Sequence, residues 1–309
     1  MPDAAAAIPV PVLLIAGALG AGKTSLINSM LRADHGLALA VIVNDFGAIG
    51  IDEAILSAAG RPVVGLKNGC ICCSLQGDLL RTLATVLSLG RPVDAVVIEA
   101  SGVSDPHGII AALYDPVLRA AVRLDAVVTV VDGEAHAPDD ELWLAQLQAA
   151  DMVVLSKTAS LDAAGRERLQ AMMEALGKAL VFEADATGSV PLAVLLGGTL
   201  RPSKERADDA AVIRDTRFAH MEWTSPRPLA LSRFTTALEH LAPVLVRAKG
   251  LLHVHERPGQ TLLFQMVGRR ASLAPANLPT DGARLVLIGR ADLFDPIAAA
   301  RELDAMAAT

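Results

Sequence analysis

The sequence predicts a doubly wound α/β domain on a mostly parallel sheet, followed by a smaller α+β domain. Three observations carry this. Short Val/Ile/Leu-rich runs recur through the first two-thirds of the chain and are apolar on both faces, not at alternate positions. Such runs suit parallel strands covered by helices on both faces. Stretches of helical periodicity separate them, the strand–helix rhythm of a doubly wound sheet. A charged segment with almost no apolar residue, residues 201–209, then divides this region from a shorter one with closely spaced strands.

In chain order, strands are expected at residues 10–16, 38–44, 93–99, 126–132, 152–156 and 179–183. Helices fill residues 23–32, 77–89, 139–149 and 163–176 between them. Beyond the charged segment, strands are expected at 217–223, 244–256, 261–267 and 284–288, with helices at 229–241 and 295–306. The expected division is a first domain over residues 1–200, a linker at 201–211 and a second domain over 212–309.

The 309 residues are 52% hydrophobic and 20% charged, enough to bury a substantial core. Aromatics make up only 3%, so Ala, Val and Leu must build it. A net charge of −7 argues against a general nucleic-acid binder, which needs basic excess. The N-terminus has no basic stretch ahead of a long apolar one, so no secretory signal is read there. The apolar runs are too short to span a bilayer. The expected protein is cytoplasmic, with neither membrane nor nucleic acid as partner.

The first chemical motif is Gly17-Ala18-Leu19-Gly20-Ala21-Gly22-Lys23-Thr24, followed by Ser25. It fits the G-x-x-x-x-G-K-[ST] phosphate loop, with an apolar strand before it and a helix after it. Glycines let the backbone wrap phosphates and turn its N–H groups inward, and the helix N-terminus adds positive dipole. Lys23 would neutralise β/γ-phosphate charge, and the Thr24 hydroxyl would reach Mg²⁺. A chance lysine beside a glycine turn is the alternative, and the strand–loop–helix context disfavours it. The strand at 93–99 ends in Glu99-Ala100-Ser101-Gly102. Glu99 is expected at the carboxyl edge of the sheet beside the γ-phosphate and its Mg²⁺, with Gly102 offering a backbone N–H. Asp45, in Asn44-Asp45-Phe46-Gly47, follows another strand to that edge. It is either an outer ligand of the Mg²⁺, through water, or a turn residue.

All three cysteines lie in Cys70-Ile71-Cys72-Cys73. A disulfide framework would spread them along a small secreted chain. Thiolates suit Zn²⁺ and Cu(I), and less strongly Co²⁺ or Fe²⁺. Closed structural zinc sites take four ligands, and three thiols in one loop leave a position open, which suits catalysis or metal transfer. The alternatives are buried packing and a Cys-x-x-Cys redox pair, Cys70 with Cys73. Of the histidines, His253 and His255 share a strand face, and His107 follows Asp105-Pro106 near the phosphate edge. For both, ordinary surface or helix-start roles are the preferred reading.

Together these segments resemble the CobW family of nucleotide-dependent metallochaperones and metalloenzyme activators. The likeness covers residues 17–25, 43–52, 68–79 and 99–106, and the second domain through Val246-Arg247-Ala248-Lys249-Gly250 and residues 285–290. It implies a P-loop fold, GTP hydrolysis, Mg²⁺, Zn²⁺ or another transition metal held by Cys70, Cys72 and Cys73, and delivery to a client apo-metalloprotein. A homodimer is compatible with it. Three features depart from the family. Ser156-Lys157-Thr158-Ala159 stands where relatives read guanine with Asn-Lys-x-Asp. No His-rich tract occupies residues 201–209, and Asp45 replaces a longer Glu. Ser156 and Lys157 are nonetheless expected at the nucleotide. The competing readings are a metal sensor or store with little turnover, and an ATP-using activator of a single metalloenzyme such as a nitrile hydratase.

Overall fold

The computed structural model describes residues 9–33, 36–43, 63–65, 75–88, 93–184, 188–197, 215–276, 278 and 280–308. They fall into two compact units, Pro9–Leu195 and a second that takes in Leu196–Thr309. The expected linker at 201–211 lies outside the described residues.

The first unit is a seven-stranded sheet. Its strands are β1 (Val10–Ala16), β2 (Leu39–Val43), β3 (Val63–Gly65), β4 (Ala95–Glu99), β5 (Val122–Asp132), β6 (Met152–Ser156) and β7 (Val181–Glu183). They lie in the order β3-β2-β4-β1-β5-β6-β7, and every pairing is parallel. The continuous apolar runs explain this. Val12, Leu13, Leu14 and Ile15 are all fully buried, so both faces of β1 are covered. On one face Val12, Leu14, Ile42, Val96 and Ile98 pack with Leu79 and Leu83 of α2 (Leu75–Leu87) and Ile109 of α3 (His107–Leu113). Helix α1 (Lys23–Arg32) buries Leu26, Ile27 and Met30. Toward β6 and β7, Val131, Val153 and Leu155 pack with α5 (Glu141–Ala149) and α6 (Ala163–Ala175) through Trp143, Leu147, Leu169 and Met173.

Strand β5 starts at Val122, not at residue 126 as periodicity suggests. The charged residues Arg123 and Asp125 hide the start. They pair with each other, Nη1 to Oδ1 at 2.9 Å, and Asp125 is buried. Between Val12↔Leu124 and Leu13↔Ala126 the register shifts, so Asp125 is the extra residue of a bulge. The short elements β3, α4 (Pro116–Arg119) and α7 (Leu192–Leu196) also escape the sequence patterns.

The second unit is a five-stranded antiparallel sheet made of β8 (Phe218–Ser225), β9 (Leu245–His253), β10 (Thr261–Val267), β11 (Arg270–Pro275) and β12 (Ala283–Arg290). The order is β11-β10-β9-β12-β8. Helices α8 (Leu231–Leu241) and α9 (Pro296–Ala307) share a core with one sheet face, through Phe234, Leu238, Leu252, Phe264, Leu285 and Leu303. Phe234 meets Phe264 edge-on with centroids 5.0 Å apart. Asp295 caps α9 by accepting from Ile297 N and Ala298 N. The exposed edge strand β11, Arg-Ala-Ser-Leu-Ala-Pro, has no alternation to announce it.

Candidate functional site

A wholly parallel sheet gathers the carboxyl ends of its strands on one edge, where ligands of such folds bind. The segments leaving β1, β4, β5 and β6 meet there. Gly17 has φ 135°, and a Cβ on it would lie 2.2 Å from the Val130 carbonyl oxygen of β5. Only glycine lets the chain turn off β1 so close to its neighbour. Gly20 (φ 75°) and the buried Ala21 continue the loop, and Gly22 (φ 98°) stands at the N-cap of α1. That cap makes no side-chain hydrogen bond and the first turn has no acid, so nothing in α1 neutralises its positive end. Lys23 is buried, and its Nζ donates to Gly17 O and Ala18 O, each at 3.0 Å. The ammonium thus sits curled within the loop, against carbonyls whose place phosphate oxygens can take. Ser25, next along α1, is exposed.

Glu99 ends β4 and is 4% exposed. The Thr24 hydroxyl donates to its Oε1 at 2.9 Å. A hydroxyl and a carboxylate in contact beside a phosphate loop are hard oxygen donors, and they fit Mg²⁺. The turn after β4 rests on the loop. A Cβ at Gly102 would lie 2.6 Å from Leu19 N and 2.7 Å from Leu19 Cα. From α5, the Gln146 side-chain amide donates to Gly102 O at 3.2 Å and Ser104 O at 3.3 Å.

The segment after β6 is tied to the same loop. Ser156 Oγ donates to Ala21 O at 2.6 Å. Lys157 has φ 52°, the positive-φ non-glycine among the described residues, and its Nζ donates to Asp132 Oδ2 at 2.6 Å. Asp132 ends β5, and its Oδ1 also accepts from Glu134 N and Ala135 N. Burial pushes its carboxyl up, but the bonds from Lys157 and the two N–H groups outweigh that and hold it below the ordinary carboxylate value. Thr158 turns away to donate to Glu183 Oε2, and Ala159 is exposed. Asp162 accepts from Gly165 N at 2.7 Å as the N-cap of α6, the capping role its sequence position suggests.

His107, His253 and His255 take ordinary roles. His107 opens α3 with its ring Nδ1 2.7 Å from Asp105 Oδ1. Burial raises the Asp105 carboxyl, but the backbone and ring of His107 outweigh this and lower it. His253 Nε2 lies 2.9 Å from Thr261 Oγ1, and His255 is exposed. Among the described residues, no three His, Cys, Asp or Glu side chains group to hold a metal. None of the helices among them is long and apolar enough to cross a membrane. Cys70, Cys72, Cys73 and Asp45 lie outside the described residues. The site therefore brings together Gly17, Gly20, Ala21, Gly22, Lys23, Thr24, Glu99, Gly102, Ser156 and Lys157. Sequence reasoning missed Asp132 and Gln146. For Gln146 a signal existed: it shares the buried stripe of α5 with Trp143 and Leu147, and an amide at core spacing calls for a polar partner.

Residues 11–182 match the family model described as CobW/HypB/UreG, nucleotide-binding domain. Residues 218–307 match the one described as Cobalamin synthesis protein cobW C-terminal domain. The zinc chaperone CobW of Sinorhizobium sp is 34% identical over 221 residues, covering 61% of this chain and 62% of that protein. The zinc chaperone YjiA of Escherichia coli (strain K12) is 32% identical over 282 residues, covering 84% of this chain and 87% of that one. The crystal structure of Zn(II)-bound YjiA GTPase from E. coli aligns over 96% of this chain and 99% of that one, at 25% identity and a TM-score of 0.46. The chain thus spans about three-fifths of the length of the CobW relatives it matches. The resemblance read from the motifs holds in both units.

Proposed function

Because the chain belongs to the CobW/HypB/UreG family, we propose that it is a GTP-hydrolysing metallochaperone that passes Zn²⁺ to a client apo-metalloprotein. The observation that carries the nucleotide part is the contact of Thr24 with Glu99 beside the buried Lys23. In this reading the triphosphate displaces the Gly17 and Ala18 carbonyls from Lys23, and the N-terminal amides of α1 take its β-phosphate. Thr24 and Glu99 would hold Mg²⁺, which would supply charge neutralisation at the transferring phosphoryl group. Gly102 N–H faces the γ-phosphate, and Ser156 keeps the base-side segment on the phosphate loop. The names of the relatives support zinc as the cargo. The ligands proposed for it are the thiolates of Cys70, Cys72 and Cys73, on the donor chemistry of their sequence. Loss of the γ-phosphate would release the turn at Gly102, and the coupled release of the cargo is part of the proposal.

The cargo site is tested with Co²⁺ in place of Zn²⁺. Wild-type protein is expected to bind one ion and give sulfur-to-metal charge transfer in the near ultraviolet. Changing Cys70, Cys72 and Cys73 together to Ser should remove the band. Equally tight binding by the triple variant would assign the ion to other residues. Affinity should fall short of four-ligand structural zinc, whose binding is about 10–16 kcal/mol.

Base selectivity is the second test. Ala159 can neither accept from guanine N1–H and its exocyclic amine nor repel adenine, and Asp162 is held as a cap. A hydrogen bond to a charged group is worth about 1.5–3 kcal/mol, or roughly 10- to 150-fold. GTP should therefore be preferred over ATP by less than about 100-fold, and Ala159→Asp should raise the preference. Competition titrations of both nucleotides measure this. Strict GTP selectivity in the wild type would mean that another residue reads the base.

A further inference from the structure

We infer that Gln146 is a positioning residue for nucleotide turnover: its side-chain amide holds the turn around Gly102, whose N–H faces the γ-phosphate in the nucleotide reading. The inference rests on the nucleotide reading above and deepens it.

Gln146 is 1% exposed. Its Nε2 donates to two carbonyls of one turn, Gly102 O and Ser104 O. The amide cannot be turned over without setting Oε1 against both of those oxygens, so the donor face is fixed by the network. The helix that carries it is anchored to β5 at the same residue, because Thr129 Oγ1 donates to Gln146 O at 2.7 Å. An apolar side chain would fill this place in the buried stripe of α5 without the cost of burying an amide. Gln146 Oε1 is itself buried with no hydrogen-bond partner among the described residues. Packing therefore does not account for the residue, whereas the bonds to the turn do.

The turn needs an external anchor. Gly102 lies against Leu19 of the phosphate loop, where no Cβ fits. A glycine peptide rotates at little cost, so the orientation of its N–H is not fixed by the backbone alone. Ser104 N and Oγ both donate to Ser101 O, the carbonyl of the peptide that carries Gly102 N–H, and Gln146 holds the next peptide through Gly102 O. Gln146 holds Ser104 O as well as Gly102 O, so from α5 it fixes the residues that accept those bonds and, through them, the N–H on the phosphate side. A diphosphate makes no use of that N–H, so Gln146 should act on triphosphate binding and on turnover while sparing GDP.

The test compares wild type with Gln146→Leu, which keeps bulk and removes both bonds. Affinity for a non-hydrolysable GTP analogue is expected to fall about tenfold, with GDP affinity within about twofold and kcat lowered at saturating GTP. A folded variant with the wild-type ratio of triphosphate to diphosphate affinity would overturn the inference and leave the function intact. Failure of the wild type to bind either nucleotide would overturn both. Hydrogen exchange on the wild type needs no variant. The GTP analogue, but not GDP, should slow exchange in residues 101–105 and in 141–149 together. Slowing in the turn with none in 141–149 would overturn the link.

Discussion

Replacing Lys23 by Ala is expected to lower GTP hydrolysis at least about 100- to 1,000-fold and to weaken triphosphate binding, while the fold persists. The size follows from the setting. Lys23 is a full positive charge, 6% exposed, at the end of a loop that otherwise offers only backbone dipoles. Charge stabilisation in so dry a site far exceeds its value in water. The fold should survive because the bonds of Lys23 to Gly17 O and Ala18 O lie within its own loop, and water can reach the two carbonyls once the side chain is gone. Circular dichroism would verify the fold, and phosphate release would measure the rate. Wild-type turnover in a folded Lys23→Ala protein would end the hydrolase reading.

The largest effect on stability is expected far from that edge. Asp125→Ala should cost the first unit about 3–5 kcal/mol, the usual penalty for removing one partner of a buried ion pair. Asp125 is 1% exposed at its side chain and Arg123 18%, so the guanidinium would lose this bond with little water to replace it. The aspartate is also the extra residue of the β5 bulge, where β5 lies against β1. Asp125→Asn keeps an acceptor for Arg123 and should lose less. Denaturant titration of the three proteins would rank them. A loss under about 1 kcal/mol for Asp125→Ala would mean that the pair behaves as a surface bridge.

That bulge also marks where the sequence stops being readable. Strands buried on both faces, such as β1 and β6, were legible to the residue, because every position obeys one rule. The start of β5 was not, since two charges that satisfy each other look like a loop until their partners are known. The edge strand β11 was illegible for the opposite reason: exposed residues carry no burial pattern. At the site, the phosphate loop was legible because its chemistry is local, fixed by consecutive backbone groups. Glu99 was legible as an acid ending a buried strand. Gln146 and Asp132 act on segments far away in sequence, Gly102 and Lys157, and only the folded sheet brings them together. The absent guanine-reading Asp was plain in the sequence. That Ser156 tethers the segment after β6 to Ala21 was not, since a hydroxyl has many partners to choose from.

The strand order has a consequence for synthesis on the ribosome. β1 is made first, yet its neighbours are β4 and β5, with Val12 opposite Val96 and Leu124. Until those strands emerge, β1 is an unpaired apolar segment that must be kept from the wrong neighbours. The loop after it is equally unsupported, for Gly17 turns against Val130 and Leu19 against Gly102. A nascent chain stopped before Gly102 thus carries the whole glycine motif but neither of the walls that shape it. Pairing so distant in sequence is slow to form. Nucleotide capture by a growing chain would therefore begin abruptly and late, once β5 has left the exit tunnel, and would report that the sheet has closed around β1.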